Sequence, residues 1–190
     1  MKPLKLLLHV CCGPCATYPV PFLREKGFEL WGYFYNPNIH PFTEYAKRRE
    51  SFYRYAELDK LMIIKNDEYS FEDYWQRVSF REGRRCFFCY HLRLEQTARI
   101  ARRGKFEGFS TTLLVSPFQK HDLIRETGES MADKYGVPFV YFDFREGFKE
   151  TVARSKALGL YRQQYCGCLF SEVERFQPSK KGDFADGRNG

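Results

Sequence analysis

Cys11, Cys12 and Cys15 in HVCCGPC, Cys86 and Cys89 in RRCFFCY, and Cys166 and Cys168 in YCGC place seven thiols in three tight groups. Thiolates so spaced bind soft metals or exchange electrons as a dithiol, and chemistry is expected at these places. Cys12 with Cys15 and Cys86 with Cys89 both have CxxC spacing. Together they could supply four thiolates, which structural zinc and an iron–sulfur cluster both demand, and spacing does not choose between the two. CGPC between a strand and a helix is also the form of a thioredoxin-like redox pair, although Cys11 has no place in a simple dithiol. The third group has only Gly167 between its thiols. A disulfide across one residue closes a strained ring, and strain suits a pair to exchanging electrons. The same two thiols could equally chelate a second metal, with the glycine letting the backbone bend around it.

A chain of 190 residues can bury a proper core as one domain without disulfide staples. The odd cysteine count, the lack of a recognisable signal peptide and the lack of a long uncharged apolar run predict a cytoplasmic protein with reduced thiols. Lys and Arg outnumber Asp and Glu by 31 to 24, a net charge of +7, and aromatic residues reach 18%. That mixture suits a polyanion carrying bases that can stack. A basic surface that is merely solvated is the plain alternative. The clusters are Arg48, Arg49 and Arg54, then Arg81, Arg84 and Arg85, then Arg99, Arg102, Arg103 and Lys105, placed around the second cysteine pair.

Short apolar runs alternating with helical stretches predict an α/β fold, a doubly wound domain with a mostly parallel sheet. Leu4 to Val10 reads as a first strand buried on both faces, and a helix from Cys15 to Lys26 stops at Gly27. Further strands are expected over Phe28 to Tyr35, Leu61 to Lys65, Phe106 to Leu113 and Val137 to Phe144. Helices are expected over Pro41 to Leu58, Phe71 to Val78, Cys89 to Arg103, and from Ser116-Pro117 to Tyr135. One catalytic domain over residues 1–177 would then precede a disordered tail over 178–190. CCGPC falls at the carboxyl end of the first strand, where such sheets bind ligands. There the helix amides and dipole favour thiolates.

Other candidates gather at the same edge. His9 precedes the cysteines, and with His40 it is a candidate proton donor, core packing being the plain alternative. Asp143 ends the last expected strand, with a helix cap as its alternative. Tyr35 could stack on an unpaired base while Asn36 and Asn38 read a base edge or sugar hydroxyl, unless the loop only reverses the chain. Ser110, Thr111 and Thr112 are similar to a phosphate-cradling loop, without the GK[ST] of a P-loop.

Taken together, LLLHVCCGPC, YNPNIHPFTEYAKR, EGRRCFFCYHLRLEQTA, FSTTLLVSP, DFRE and LYRQQYCGCLFS span nearly the whole chain, and in this order they resemble the cobalamin-independent epoxyqueuosine reductases of the QueH type. The resemblance implies a Rossmann-like, HUP-like fold. It also implies an oxidoreductase that reduces epoxyqueuosine in the anticodon loop of tRNA to queuosine, the last step of queuosine biosynthesis, using a [4Fe-4S] cluster. The ligands it implies are Cys11, Cys12, Cys86 and Cys89, whereas spacing alone prefers Cys15 to Cys11. Cys166 and Cys168 fall on the family's redox-active pair. A second mononuclear metal such as iron is a further expectation, with Cys15, Asp143 and the Cys166/Cys168 pair as candidates beside it, and the electron donor is unspecified. The competing expectations are a thiol–disulfide oxidoreductase using Cys12 and Cys15, and a zinc-stabilised RNA-binding module.

Overall fold

The computed structural model describes residues 3–177. The expected disordered tail over 178–190 lies outside the described residues. Leu6, Leu7 and Leu8 of β1 (Leu4–His9) are completely buried, as an apolar run without alternation requires of a strand covered on both faces. Burying each contributes about 1.5–3 kcal/mol. β1 pairs in parallel with β2 (Phe28–Tyr33) on one side and β4 (Gly108–Thr111) on the other, and β3 (Met62–Ile64) extends the sheet beyond β2. The order β3-β2-β1-β4 is all parallel and grows outward in both directions from β1. That reversal of direction opens a crevice at the carboxyl ends of β1 and β4.

The sequence between β1 and β2 reads as one helix but folds as two, α1 (Gly13–Ala16) and α2 (Pro19–Glu25). Pro19 has no N–H to donate, and its ring would strike the carbonyl four residues back, so the helix must restart there. A Cβ on Gly13 would lie 2.4 Å from the Ser51 carbonyl oxygen, so this glycine lets α1 press against α3 (Phe42–Leu58). α4 (Phe71–Val78) has the expected bounds. α5 (Arg85–Arg103) starts four residues before its expected start, because the single 3-10 turn Glu82–Arg84 runs straight into it.

β4 is shorter than expected, since the chain winds into the 3-10 turn Thr112–Val115 immediately after Thr111. α6 (His121–Tyr135) follows a loop that holds Ser116 and Pro117. The strand expected over Val137 to Phe144 is reduced to one parallel bridge between Phe109 and Phe139. Phe109 N–H donates to Pro138 O at 2.9 Å and Val140 N–H to Phe109 O at 2.8 Å. No further ladder bond joins this segment to β4 among the described residues, and Pro138 has no N–H to offer one. α7 (Phe148–Ala157) and α8 (Leu169–Phe176) complete the described chain and have no counterpart in the sequence expectations.

Candidate active site

The three cysteine groups converge on the crevice edge. His9, Tyr33 and Thr111 are in register across β2, β1 and β4, and the chain leaves the sheet just beyond them. There the Cys11 N–H donates to Thr112 Oγ1 at 3.1 Å, and that hydroxyl lies 3.4 Å from Cys11 Sγ. The Cys12 sulfur is 3.9 Å from that of Cys11 and 3.0 Å from that of Cys15, and all three fall within 4.8 Å of one another. Such a triad could hold a metal ion. Hydrogen bonds from Cys12, Cys15 and Thr112 hold the Cys11 thiol well below its usual pKa. Burial pushes Cys12 up, while bonding to Cys11 and Cys12 pushes Cys15 up.

Cys86 and Cys89 sit three residues apart in the first turn of α5, on one helical face. Arg93, one turn further on, is 2% exposed and donates through Nη2 to Cys89 Sγ at 2.9 Å and through Nε to Cys89 O at 3.2 Å. Its Nη1 reaches Asn36 Oδ1 at 3.4 Å, and Asn36 Nδ2 donates to Val10 O at 2.9 Å. A chain of polar contacts therefore runs from Cys89 to the residue before Cys11. Among the described residues no carboxylate pairs with Arg93.

Cys168 is buried in one cluster with Cys89, Tyr74, Val78 and Leu92. Cys166 is exposed, and Gln119 Nε2 approaches its sulfur at 3.5 Å. Both thiols are free. Upstream in the same segment, Gln163 Nε2 lies 3.8 Å from Cys15 Sγ. What holds this segment down is Arg48, 2% exposed, which donates to Cys166 O and Tyr165 O at 2.9 Å each and to Glu44 Oε1 at 2.7 Å. His40 N–H also donates to Gly167 O at 2.8 Å. Gly167 has φ 137°, and a Cβ there would lie 3.1–3.3 Å from Ile39, Arg48 and Asn38, so only glycine fits.

The remaining expected residues divide. His9 is fully buried with both nitrogens engaged, Nδ1 at 2.8 Å from Thr111 Oγ1 and Nε2 at 3.1 Å from Tyr35 O. A carbonyl only accepts, so Nε2 carries the proton, and burial lowers the pKa to about 4. Both contacts belong to the core, which leaves His9 no free nitrogen for a substrate. Asp143 folds back on its own loop instead of facing the cysteines: its carboxylate accepts from the Arg145 backbone N–H at 3.0 Å and from the Arg145 side chain, which holds its pKa at about 2. Tyr35 is 8% exposed, with its ring stacked on Tyr33 and its hydroxyl donating to Asp73 Oδ2 at 3.0 Å, so it offers no open face to a base.

Asn36 is spent on Val10 and Arg93, whereas Asn38 is buried with neither amide atom partnered. His40, its ring 5.5 Å from that of Tyr74, also has both ring nitrogens unpartnered, and so does the Tyr74 hydroxyl. Sequence reasoning missed Arg93, Glu44 and Tyr74, and it took Arg48 for part of a basic surface cluster, whereas the residue is buried and spent on Glu44 and the Cys166 segment. The i, i+4 spacings of Cys89 with Arg93 and of Glu44 with Arg48 were the available signal.

The family sequence model described as "Epoxyqueuosine reductase QueH" matches residues 6–174. A protein named epoxyqueuosine reductase QueH from Dehalococcoides mccartyi is 41% identical over 172 residues, covering 90% of this chain and 94% of that one. One of the same name from Thermotoga maritima is 42% identical over 180 residues, covering 90% and 91%. Among solved structures, a chain described as a predicted subunit of a tRNA methyltransferase from Methanocaldococcus jannaschii superposes with TM-score 0.51 at 13% identity, over 80% of this chain and 74% of that one. That likeness concerns the fold alone.

Proposed function

As a member of the epoxyqueuosine reductase QueH family the chain is an oxidoreductase, and we propose that it removes the epoxide oxygen of epoxyqueuosine in tRNA to leave queuosine. The observation that carries this reading is Arg93, a buried cation with no carboxylate partner among the described residues that bonds Cys89 and lies within electrostatic reach of one thiol from each of the other two cysteine groups, Cys11 and Cys166. In the net reaction the epoxide takes up two electrons and two protons, both its C–O bonds break, and an alkene and water result.

An all-sulfur donor set beside an unpaired guanidinium fits a thiolate-bound, negatively charged group. Cys11, Cys12, Cys86 and Cys89 would hold a [4Fe-4S] cluster. Such a cluster supplies electrons one at a time. Cys15 is then the thiol left for a second mononuclear metal ion such as iron. Cys166, exposed where Cys168 is buried, would exchange electrons with substrate or with a donor yet to be identified, and its exposure supports that role. Asn38 and His40, buried with free polar atoms beside Gly167, are the groups available to hold and protonate the departing oxygen. Burial keeps His40 neutral, with a pKa near 4, so at neutral pH it works as an N–H donor. Asn36 acts indirectly here, by holding Arg93 and Val10.

A protein thiol–disulfide oxidoreductase is not favoured. Its attacking thiolate must be accessible, and Cys12 and Cys15 are buried with raised pKa values. No helix among the described residues is long and apolar enough to cross a membrane. A tRNA substrate places the work in the cytoplasm. Anaerobic purification should give a brown protein with iron and sulfide in about equal amounts. On tRNA carrying epoxyqueuosine it should, when reduced, yield a nucleoside one oxygen lighter by mass spectrometry. A colourless protein holding zinc and leaving the epoxide intact overturns the reading.

A further inference from the structure

Arg93 is a cation taken entirely out of water, and a buried charge without a counterion is among the costliest features a fold can carry. Every other buried arginine contact in the site is conventional: Arg48 has Glu44. Arg93 has instead a sulfur at 2.9 Å, a carbonyl from its own helical turn at 3.2 Å and the amide oxygen of Asn36 at 3.4 Å. The two oxygens are neutral. Among the described residues Cys89 Sγ is its one hydrogen-bond partner able to carry a full negative charge, and the Cys166 and Cys11 thiols act on it from further off.

We infer that Arg93 is a positioning residue that donates a fixed hydrogen bond to the Cys89 sulfur and raises the reduction potential of the cluster bound there. This rests on the proposed cluster. A fixed cation donating to a ligand sulfur stabilises the extra negative charge of the reduced state more than the oxidised state, which moves the potential upward. Placement favours the same role. The guanidinium's second arm ends on Asn36, which is fixed to Val10 O, so the arginine is anchored to the segment that leads from β1 to Cys11 and cannot swing from the sulfur without breaking that link. Lysine could keep the charge but not both arms, because its ammonium lacks the planar fork.

The test is a redox titration of the cluster, followed by EPR, in the wild type and in Arg93→Gln and Arg93→Lys. Arg93→Gln should make reduction about tenfold less favourable, a downward shift of about 59 mV for one electron. Arg93→Lys should recover most of that shift. An unchanged potential in Arg93→Gln overturns the inference while leaving the reductase reading intact. Should Arg93→Gln not fold, wild-type protein grown with 15N-arginine decides. Its reduced cluster should show hyperfine coupling to a guanidinium nitrogen that is absent from Arg93→Lys, and a spectrum without that coupling overturns the inference. A wild-type protein without iron and sulfide removes the cluster and this inference together.

Discussion

At the scale of single residues, the proposed function separates thiols that hold a cluster from thiols that react. Cys86→Ala or Cys89→Ala should abolish bound iron and sulfide, whereas Cys166→Ala should keep them and stop turnover of epoxyqueuosine-containing tRNA. Metal and sulfide analysis beside a turnover assay distinguishes the two. Gly167→Ala forces a side chain into a left-handed backbone conformation against Ile39, Arg48 and Asn38, at a cost of about 1–3 kcal/mol. It should lower the melting temperature by several degrees and release Cys166 to faster alkylation.

His40 carries a pH prediction. The unfolded chain protonates this imidazole below about pH 6.5, and the folded chain only near 4. The contribution of His40 is therefore whole above 6.5, is lost as pH falls through the window, and levels off below 4. It amounts to about 3 kcal/mol. Urea unfolding of wild type and His40→Gln between pH 7.5 and 4 should show the wild type losing that much more.

Among elements, α3 and α5 do most of the positioning. α5 presents Cys86, Cys89 and Arg93 from successive turns, and α3 presents Glu44 and Arg48, which pin the Cys166 loop. Removing one partner of a buried ion pair costs about 3–5 kcal/mol. Glu44→Gln should therefore destabilise the protein to that extent in urea, and should speed labelling of Cys166 before global unfolding. The parallel sheet, the buried first strand and the crevice position of CCGPC were legible from apolar runs and turn residues, because those signals are local. The break at Pro19 was legible too, had the ring's clash been given its weight over the periodicity. The start of α5 was not. Gly83 sits in a 3-10 turn that continues into the helix, and this hid the helical placement of Cys86. Nor could the sequence show that Asp143 spends its carboxylate on Arg145, or that Tyr35 stacks inward on Tyr33. Which neighbour a side chain meets depends on packing that no short motif encodes.

Across the whole molecule, the excess of 31 basic over 24 acidic residues meets a substrate with a charged backbone. Affinity for tRNA should fall linearly with the logarithm of salt concentration, with a slope of about −0.7 per phosphate contact on single-stranded segments. Filter binding at several salt concentrations measures it, and a flat response would indicate that the nucleoside alone is recognised.

The order of the cysteine groups along the chain has a consequence for how the protein comes into being. Cys11 to Cys15 emerge first during synthesis, Cys86 and Cys89 follow midway, and the loop of Cys166 and Cys168 that closes over both comes near the end. Until Arg48 captures that loop, five thiols stand at an open edge. A nascent protein halted before Leu160 would offer those sulfurs uncovered to any oxidant or stray metal it met.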